Sequence, residues 1–259
     1  MEIKRAHSLN WQKEGPMPYY EREEQLMNIF LQRNTVTMDE LAELMFVSKP
    51  TLRRDLIKLE QKGLILRSHG TASLVKTSPN ALNPFTLREQ EQNQAKSIIA
   101  HKAVKYIKDG YTIMLDASTS AYHIVPLLAD LRNILVITSS AKTAFLLGQM
   151  NIPNICTGGQ MINCSFSYVG NDALRTISQY NADIVFFSCL GLASNGQITD
   201  KSVEENQIRR AMLHRSRKKI LLCDSNKLGK TYLHNLCHVS DIDEVLCDAP
   251  LPQFPEKEF

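Results

Sequence analysis

The chain has 259 residues, and its 30 lysines and arginines nearly balance its 27 aspartates and glutamates. This length predicts two domains, and the net charge of +3 excludes a protein whose whole surface is strongly basic. No apolar run approaches the roughly 20 residues of a membrane-spanning helix and no secretory signal opens the chain, so we expect a cytoplasmic protein.

The N-terminal part begins with a segment that fits no domain. We assign residues 1–20 to an N-terminal extension, which includes the only tryptophan, Trp11. Helical spacing of Leu26, Ile29 and Phe30 then predicts a first helix within residues 19–33. Residues 21–76 form the first predicted domain.

Two more helices follow, each with a recognisable start. Thr37 and Glu40 are spaced as a capping box, which predicts that the second helix begins there. Ser48 is a good N-cap for the third helix, and Pro50 falls in its first turn, where a missing amide costs little. Gly63 is placed to end that helix.

The third helix has one apolar face and one polar face. Leu52, Leu56 and Leu59 recur at helical spacing, and Arg54 points away from them. A helix that turns guanidinium groups outward suits the DNA major groove, where arginine pairs with guanine or grips phosphates. A basic helix face of this kind can also simply be exposed to solvent, with no binding partner. Residues 17–76 carry nine basic and eight acidic side chains, so their net charge is no argument for DNA binding. The position of the arginines on the outer face of the helix is what favours DNA.

After this helix, residues 64–75 hold two short apolar runs around Gly70, which predicts a β-hairpin. Three helices and a hairpin make a winged helix-turn-helix, mainly α with a β-hairpin wing. The same arrangement also occurs as ordinary helix packing or as a protein-binding module. We predict that it contacts DNA through Ser48, Lys49, Thr51, Arg53, Arg54, Lys58, Arg67 and His69.

Residues 21–76 resemble the N-terminal domain of DeoR-family bacterial transcription regulators. The resemblance covers residues 40–42, 47–48, 59–60, 63 and 67–72, and it is most specific in the run Thr51-Leu52-Arg53-Arg54-Asp55-Leu56. Thr71 departs from the pattern, because the family usually has a second glycine there. The resemblance implies binding to a double-stranded DNA operator.

The composition of residues 77–84 predicts a linker, and residues 85–259 form the second predicted domain. A long helix is predicted over residues 85–108. Strands are then predicted at 112–115, 134–138, 155–157, 184–188, 220–223 and 245–247, with helices at 120–128, 141–150, 173–180 and 202–216. This alternation predicts an α/β domain with a mostly parallel sheet.

In such sheets ligands bind beyond the carboxyl ends of the strands, and here those ends are polar. Hydroxyls and amides at a helix start suit an anion, and a lysine suits a phosphate. Taken singly, such residues more often cap helices or turn the chain, as we expect for Asn195-Gly196, and for Ser202 with Glu205 as a capping box. Together they predict an effector site formed by Asp116, Ser118, Thr119, Ser120, Ser139, Gly158, Gly159, Glu204 and Lys227.

Residues 85–248 resemble the DeoR C-terminal sensor domain, which is itself similar to ribose-5-phosphate isomerase. The match covers residues 109–120, 136–139, 158–159, 170, 183, 191, 204, 212 and 224–229. It implies that a phosphorylated sugar or related metabolite binds there and tunes DNA affinity. The family usually has glycine where this chain has Ser118, and asparagine where it has Ser139.

The cysteines are scattered, with no Cys-x-x-Cys pair. We therefore predict free thiols, no disulfide framework, no metal site and no cofactor. The six are Cys156, Cys164, Cys189, Cys223, Cys237 and Cys247.

These patterns predict a transcription regulator, chiefly a repressor of a carbohydrate or related metabolite operon, acting as a homodimer or homotetramer on repeated half-sites. The alternative is an enzyme like a sugar-phosphate isomerase fused to a DNA-binding domain, in which Asp116 and Lys227 would move the proton and stabilise the enediolate. We predict no enzymatic activity, because turnover would destroy the signal that the sensor reads.

Overall fold

The structure is a computed structural model that describes residues 19–61, 64–68, 70–75 and 84–255. The chain divides into two compact units, residues 1–76 and residues 77–259. Trp11, Gly63, His69 and all of the predicted linker except Pro84 lie outside the described residues.

The first unit is a winged helix-turn-helix, as predicted. A third strand, missed from the sequence, precedes the second helix and pairs with the hairpin, giving an antiparallel sheet in the order β1-β3-β2. The elements are α1 (Tyr19–Arg33), β1 (Thr35–Thr37), α2 (Met38–Met45), α3 (Lys49–Gln61), β2 (Ile65–Ser68) and β3 (Thr71–Leu74).

The predicted capping box is present at the start of α2. The amide of Glu40 donates to Thr37 Oγ1 at 3.2 Å, and the amide of Thr37 donates to Glu40 Oε2 at 2.9 Å. The amide of Thr37 and its hydroxyl, at 2.8 Å, both donate to Glu40 Oε2, and they lower the pKa of the Glu40 carboxyl. The box fixes where α2 begins and therefore how its buried side chains, Leu41 and Met45, meet the core.

An ion pair inside the first unit joins α1 to α3. Asp55 lies on the buried side of α3, and its carboxylate accepts from Arg22 Nε at 2.7 Å and from Arg22 Nη2 at 3.1 Å. The hydrogen bond from Arg22 to Asp55 raises the pKa of the guanidinium. Two parallel bonds fix the orientation of α3 as well as its distance from α1.

We expect Arg22→Ala to weaken the packing of α1 against α3, because the substitution leaves the Asp55 carboxylate buried without its cation. Removing one partner of a buried pair costs about 3–5 kcal/mol, and the partial exposure of Arg22 brings our estimate to roughly 2–4 kcal/mol. Hydrogen exchange of the α1 and α3 amides in the full chain measures this. Arg33→Ala, at the exposed end of α1, is the control. Equal protection in both variants would contradict the prediction.

The second unit is built on a six-stranded, fully parallel sheet in the order β14-β12-β9-β4-β5-β6. This confirms the predicted α/β class. The sheet strands are β4 (Thr112–Leu115), β5 (Leu135–Thr138), β6 (Asn154–Cys156), β9 (Ala182–Ser188), β12 (Ser216–Leu222) and β14 (Glu244–Leu246).

Helices cover both faces of this sheet. Alternate residues of the strands point to opposite sides, so Ile113 and Leu115 enter one apolar core while Met114 enters the other. Within the described residues the helices are α4 (Phe85–Gln90), α5 (Asn93–Ala103), α6 (Thr119–Tyr122), α7 (Ala141–Gln149), α8 (Asn171–Ser178) and α9 (Val203–His214).

The long helix predicted over residues 85–108 was wrong, because the chain breaks between α4 and α5. Gln92 has a φ of +56°, which interrupts the helical hydrogen bonds, and a 3-10 turn at Val104–Tyr106 ends the segment. The helix predicted over residues 120–128 is also divided, into α6 and a 3-10 turn at Val125–Leu128. Pro126 in that turn has no amide to donate.

The short antiparallel strands of the second unit were not predicted, since runs of two to five residues carry too little alternation. They are β7 (Gln160–Ile162), β8 (Ser167–Val169), β10 (Gly191–Leu192), β11 (Gln197–Asp200) and β13 (His234–His238). The expected turn at Asn195-Gly196 does join β10 to β11. Gly196 has a φ of +83°, and a Cβ there would lie 2.5 Å from His238 Nε2. All six cysteines are free thiols, as predicted.

Candidate DNA-binding face and effector cleft

The start of α3 and its outer face carry the predicted DNA contacts. Ser48 Oγ lies 3.0 Å from Thr51 Oγ1 and 3.5 Å from the Thr51 amide, so both hydroxyls stand at the first turn of the helix. Arg53 and Arg54 are exposed, and within the described ranges neither forms a salt bridge. Their guanidinium groups therefore keep their donors available for another molecule.

Three of the other predicted contacts, Lys49, Lys58 and Arg67, have partners within the first unit. Lys49 Nζ lies 2.5 Å from Asp39 Oδ1, a pair exposed enough to be weak. Lys58 Nζ lies 3.9 Å from the centre of the Tyr19 ring. Arg67 donates to Glu60 through Nε at 2.8 Å and through its amide at 3.2 Å, which lowers the pKa of Glu60.

A cleft of about 270 Å³ opens in the second unit. It lies at the carboxyl ends of β4, β9 and β12, and the break between α4 and α5 forms another wall. This is the position where parallel sheets bind ligands. Its charged lining consists of Arg88, Lys96, Lys201, Arg209, Lys227 and Lys230, with Glu91, Asp200, Glu205 and Asp224.

The structure brings only part of the predicted effector site to this cleft. Ser118, Thr119 and Lys227 line it. Glu204 is exposed on α9 outside the lining. The remaining predicted residues are also outside the lining: Asp116, Ser120, Ser139, Gly158 and Gly159.

The two glycines, which lie outside the cleft lining, both have positive φ angles. Gly159 has a φ of +107°, and a Cβ there would lie 2.6 Å from the Val169 carbonyl, so glycine is required for close packing. Gly158 also has a positive φ of +63°, with open space around it. Both positions are explained by local structure.

Arg209 forms a buried charge network that reaches the lining of the cleft. Its guanidinium donates to Asp116 Oδ2 at 2.9 Å, to Asp200 Oδ2 at 3.0 Å and to Glu205 Oε2 at 3.2 Å. Burial opposes its charge, but attraction to these carboxylates prevails and raises the pKa of Arg209. Sequence reasoning missed this residue, although an arginine between Ile208 and Met212, with an acid four residues earlier, was a usable signal.

The network also explains two departures from the predictions. Asp116 is only 1% exposed, and its carboxylate additionally accepts from the amides of Ser118 and Ser188, each at 3.1 Å. The capping box predicted for α9 is half formed. Ser202 Oγ accepts from the Glu205 amide at 3.1 Å, whereas the Glu205 carboxylate turns to Arg209 instead of back to Ser202.

Besides Arg209, two lysines bring positive charge to the cleft, the half-buried Lys227 and the buried Lys96. Lys227 Nζ lies 3.0 Å from Asp224 Oδ2 and 2.9 Å from Ser188 Oγ. Burial works against its charge, but Asp224 outweighs it and raises the pKa of Lys227.

Lys96, which sequence reasoning missed, is the second lysine. It is 3% exposed, and its Nζ donates to the carbonyls of Arg88 and Glu91 at the helix break. Burial, with a further contribution from Lys227, lowers its pKa to about 8. It has no salt bridge to a carboxylate in the described part of the chain.

No helix within the described ranges combines the length and the apolar character needed to cross a membrane. The first unit is a winged helix with an exposed arginine pair, and the second is an α/β unit with a charged cleft. This combination is that of a DNA-binding transcription regulator with a second, regulatory domain. A model of the DeoR-like helix-turn-helix domain matches residues 22–78, and a model of the DeoR C-terminal sensor domain matches residues 91–249. The chain belongs to the DeoR family of transcriptional regulators.

Similar proteins span nearly the whole chain. The HTH-type transcriptional regulator YulB of Bacillus subtilis is 33% identical over 89% of each chain. The glycerol-3-phosphate regulon repressor of Escherichia coli is 30% identical, covering 91% of this chain and 93% of its own. The L-fucose operon activator of the same species is 29% identical, and the match covers 88% of this chain and 94% of the activator.

Proposed function

We propose that this regulator binds a double-stranded operator through α3, and that a small phosphorylated metabolite in the cleft modulates its DNA affinity. It acts in the cytoplasm as a repressor of a carbohydrate or related metabolite operon. Similarity to a glycerol-3-phosphate regulon repressor and an L-fucose operon activator supports a metabolic operon as its target.

The observation that carries the effector half of this proposal is Lys96. A buried ammonium group without a carboxylate partner is costly. Among the residues that the structure describes, two carbonyls accept from it, which leaves one of its three donors unused. A bound phosphate would supply both the missing negative charge and an acceptor. Lys227 and the hydroxyl-bearing Ser118 and Thr119 line the same cleft and suit the same anion.

The DNA half rests on Arg53 and Arg54, which are exposed on α3. A single winged helix offers few contacts, so a homodimer or homotetramer reading repeated half-sites supplies the rest of the affinity. The effector acts by preferring one arrangement of the subunits over another, which changes operator affinity by linkage.

The geometry and the relatives both argue against the isomerase alternative. Asp116, the candidate base, is buried and already accepts hydrogen bonds from Arg209, Ser118 and Ser188. A carboxylate that satisfies protein donors is poorly placed to take a proton from a substrate. The relatives carry the names of transcription regulators.

Phosphate binding should depend on Lys96 and on pH. With glycerol 3-phosphate and inorganic phosphate as probes, we expect Lys96→Met to weaken binding roughly 10- to 100-fold, the usual worth of a charged hydrogen bond. In the wild type Lys96 is protonated below its pKa of about 8, so affinity should fall as pH rises above that value. The variant should lack this fall.

Thermal shift of the full chain, titrated from pH 6.5 to 9.5, measures both effects, since binding to the native state raises its stability. Lys105→Met, which removes an exposed lysine just beyond α5, is the control. Gel shifts with operator DNA, at increasing concentrations of each phosphate probe, should show that operator affinity changes as the probe binds. Unchanged operator affinity at saturating probe and fixed salt would contradict the proposed modulation.

A further inference from the structure

Two cysteines stand side by side at the carboxyl edge of the parallel sheet. The strands β9 and β12 are neighbours, and the last pair in their register is Ser188 with Leu222. Cys189 and Cys223 are the next residues of the two strands. Neighbouring strands lie about 4.7–4.9 Å apart, and the α-carbons of bonded cysteines usually lie about 4.4–6.8 Å apart. A disulfide between these cysteines would therefore need little movement of the backbone.

The two thiols also face the same side of the sheet. Both belong to the apolar core that Met114 enters, and the two thiols share a hydrogen bond. That hydrogen bond, together with burial, raises the pKa of Cys223. Cys223 therefore keeps its proton, and its sulfur is already in contact with Cys189 in the reduced protein.

Only one member of the pair lines the cleft. Cys189 is part of the lining, whereas Cys223 is not and is completely buried. The cleft of about 270 Å³ is wide enough for hydrogen peroxide, a molecule little larger than water. An oxidant in the cleft therefore meets Cys189 first.

Lys227 places a positive charge between the two cysteines. Its Nζ contacts Ser188 Oγ at 2.9 Å and Asp224 Oδ2 at 3.0 Å, and these residues adjoin Cys189 and Cys223 in the chain. An ammonium group attracts a negative sulfur, which is the reactive form of a cysteine. A cleft-lining thiol next to a cation, with a second thiol in contact, is the arrangement of an oxidisable cysteine and the thiol that completes its disulfide.

We propose that Cys189 and Cys223 are a redox pair, which a peroxide in the cleft converts into a disulfide that weakens phosphate binding. The modification site stands on the geometry of the two strands alone. Its effect on phosphate binding rests on the proposed function.

The reaction proceeds in two steps. The sulfur of Cys189 attacks one oxygen of the peroxide, the O–O bond breaks, and the leaving hydroxide takes the thiol proton of Cys189 to become water. The sulfur of Cys223 then attacks the resulting sulfenic acid. The S–S bond forms as the S–O bond breaks, and the second hydroxide leaves as water with the proton of Cys223. The two thiols lose two electrons, which the peroxide gains.

The disulfide acts on the cleft through Lys227. A bond of about 2 Å is shorter than a hydrogen-bonded contact between two thiols, so the sulfurs must move together. Ser188 and Asp224, which hold Lys227, are directly bonded in the chain to the residues that move. We expect the affinity for inorganic phosphate and glycerol 3-phosphate to fall about tenfold, the worth of one hydrogen bond from a charged group.

A peptide map of the full chain after peroxide treatment tests the pairing directly. The folded wild type is treated with hydrogen peroxide, the remaining thiols are blocked, and the digest is analysed by mass spectrometry without reductant. We expect a peptide pair joined through Cys189 and Cys223, lighter by two hydrogen atoms than the two free peptides, which a thiol reductant separates. Because the wild type alone reveals the pairing, no variant has to fold for this test.

Two variants separate the steps. Cys223→Ser should stop the reaction at the sulfenic acid of Cys189, which dimedone traps, and Cys189→Ser should leave Cys223 unmodified. Cys247→Ser is the control, since Cys247 follows β14 on the other side of Cys223 but its Sγ lies 3.6 Å from Asp248 Oδ1. This control should form the same disulfide as the wild type.

Thermal shift with the two phosphate probes measures the effect on the cleft. Peroxide should lower the affinity of the wild type, a thiol reductant should restore it, and Cys189→Ser should be insensitive to both treatments. An unchanged affinity in the fully oxidised wild type would show that the disulfide does not regulate the cleft.

The remaining outcomes separate this inference from the proposed function. Absence of the link between Cys189 and Cys223 in the oxidised wild type, or a link to Cys237 or Cys247 in its place, would overturn the redox pair and leave the phosphate site standing. If neither probe binds the reduced wild type, the proposed effector function fails, whereas the peptide map still decides whether the two cysteines form a pair.

Discussion

The double variant Arg53→Ala/Arg54→Ala is expected to lose operator binding by at least about 100-fold while remaining folded. A guanidinium that pairs with a guanine or a phosphate is worth roughly 1–3 kcal/mol, so each single variant should lose about 10- to 100-fold. Both side chains are exposed and form no salt bridge within the described ranges, so their removal should not disturb the core of the first unit. That core is held by Leu52, Leu56 and the Arg22–Asp55 pair.

Fluorescence anisotropy on a labelled duplex covering the promoter of the regulator's own operon measures the loss at low salt. Arg217→Ala is the control, because it removes the same charge from an exposed position in the second unit. Salt dependence separates the two kinds of contact. Losing a phosphate contact lowers the slope of log affinity against log salt by about 1, whereas losing a base contact relaxes sequence preference. Wild-type affinity in the double variant would reject α3 as the groove-facing helix.

The first unit could be predicted closely because its signals are local. The Thr37–Glu40 box and the Ser48 cap mark helix starts within four residues of sequence, and the spacing of Leu52, Leu56 and Leu59 marks the buried face. Asp55 sits among these leucines, but its partner Arg22 lies 33 residues away. No local sequence pattern links these two residues, so the ion pair between α1 and α3 could be seen only in the structure.

The cleft was predicted only where its residues follow strands. Ser118, Thr119 and Lys227 were found because the carboxyl ends of parallel strands meet at one edge. Lys96 and Arg209 come from helices, and which side of a helix faces the cleft depends on tertiary packing. For Lys96 it also depends on the break at Gln92, where a continuous helix had been predicted.

Arg209→Met is expected to destabilise the second unit by about 3–5 kcal/mol, because it leaves three buried carboxylates without their cation. For a domain of this size such a loss lowers the melting temperature by roughly 10 °C. Without the guanidinium, the three carboxylates repel one another in a buried site that holds no counter-charge for them.

Differential scanning calorimetry of the full chain measures the deficit of Arg209→Met relative to the wild type. Arg210→Met is the matched control. Arg210 is the adjacent, exposed arginine of α9, and in the described residues it donates to the carbonyls of Asn235 and Leu236, so its loss should cost less than about 1.5 kcal/mol. A deficit that is equal in the two variants would show that Arg209 does not neutralise the three carboxylates. The cleft would then have to owe its shape to packing alone.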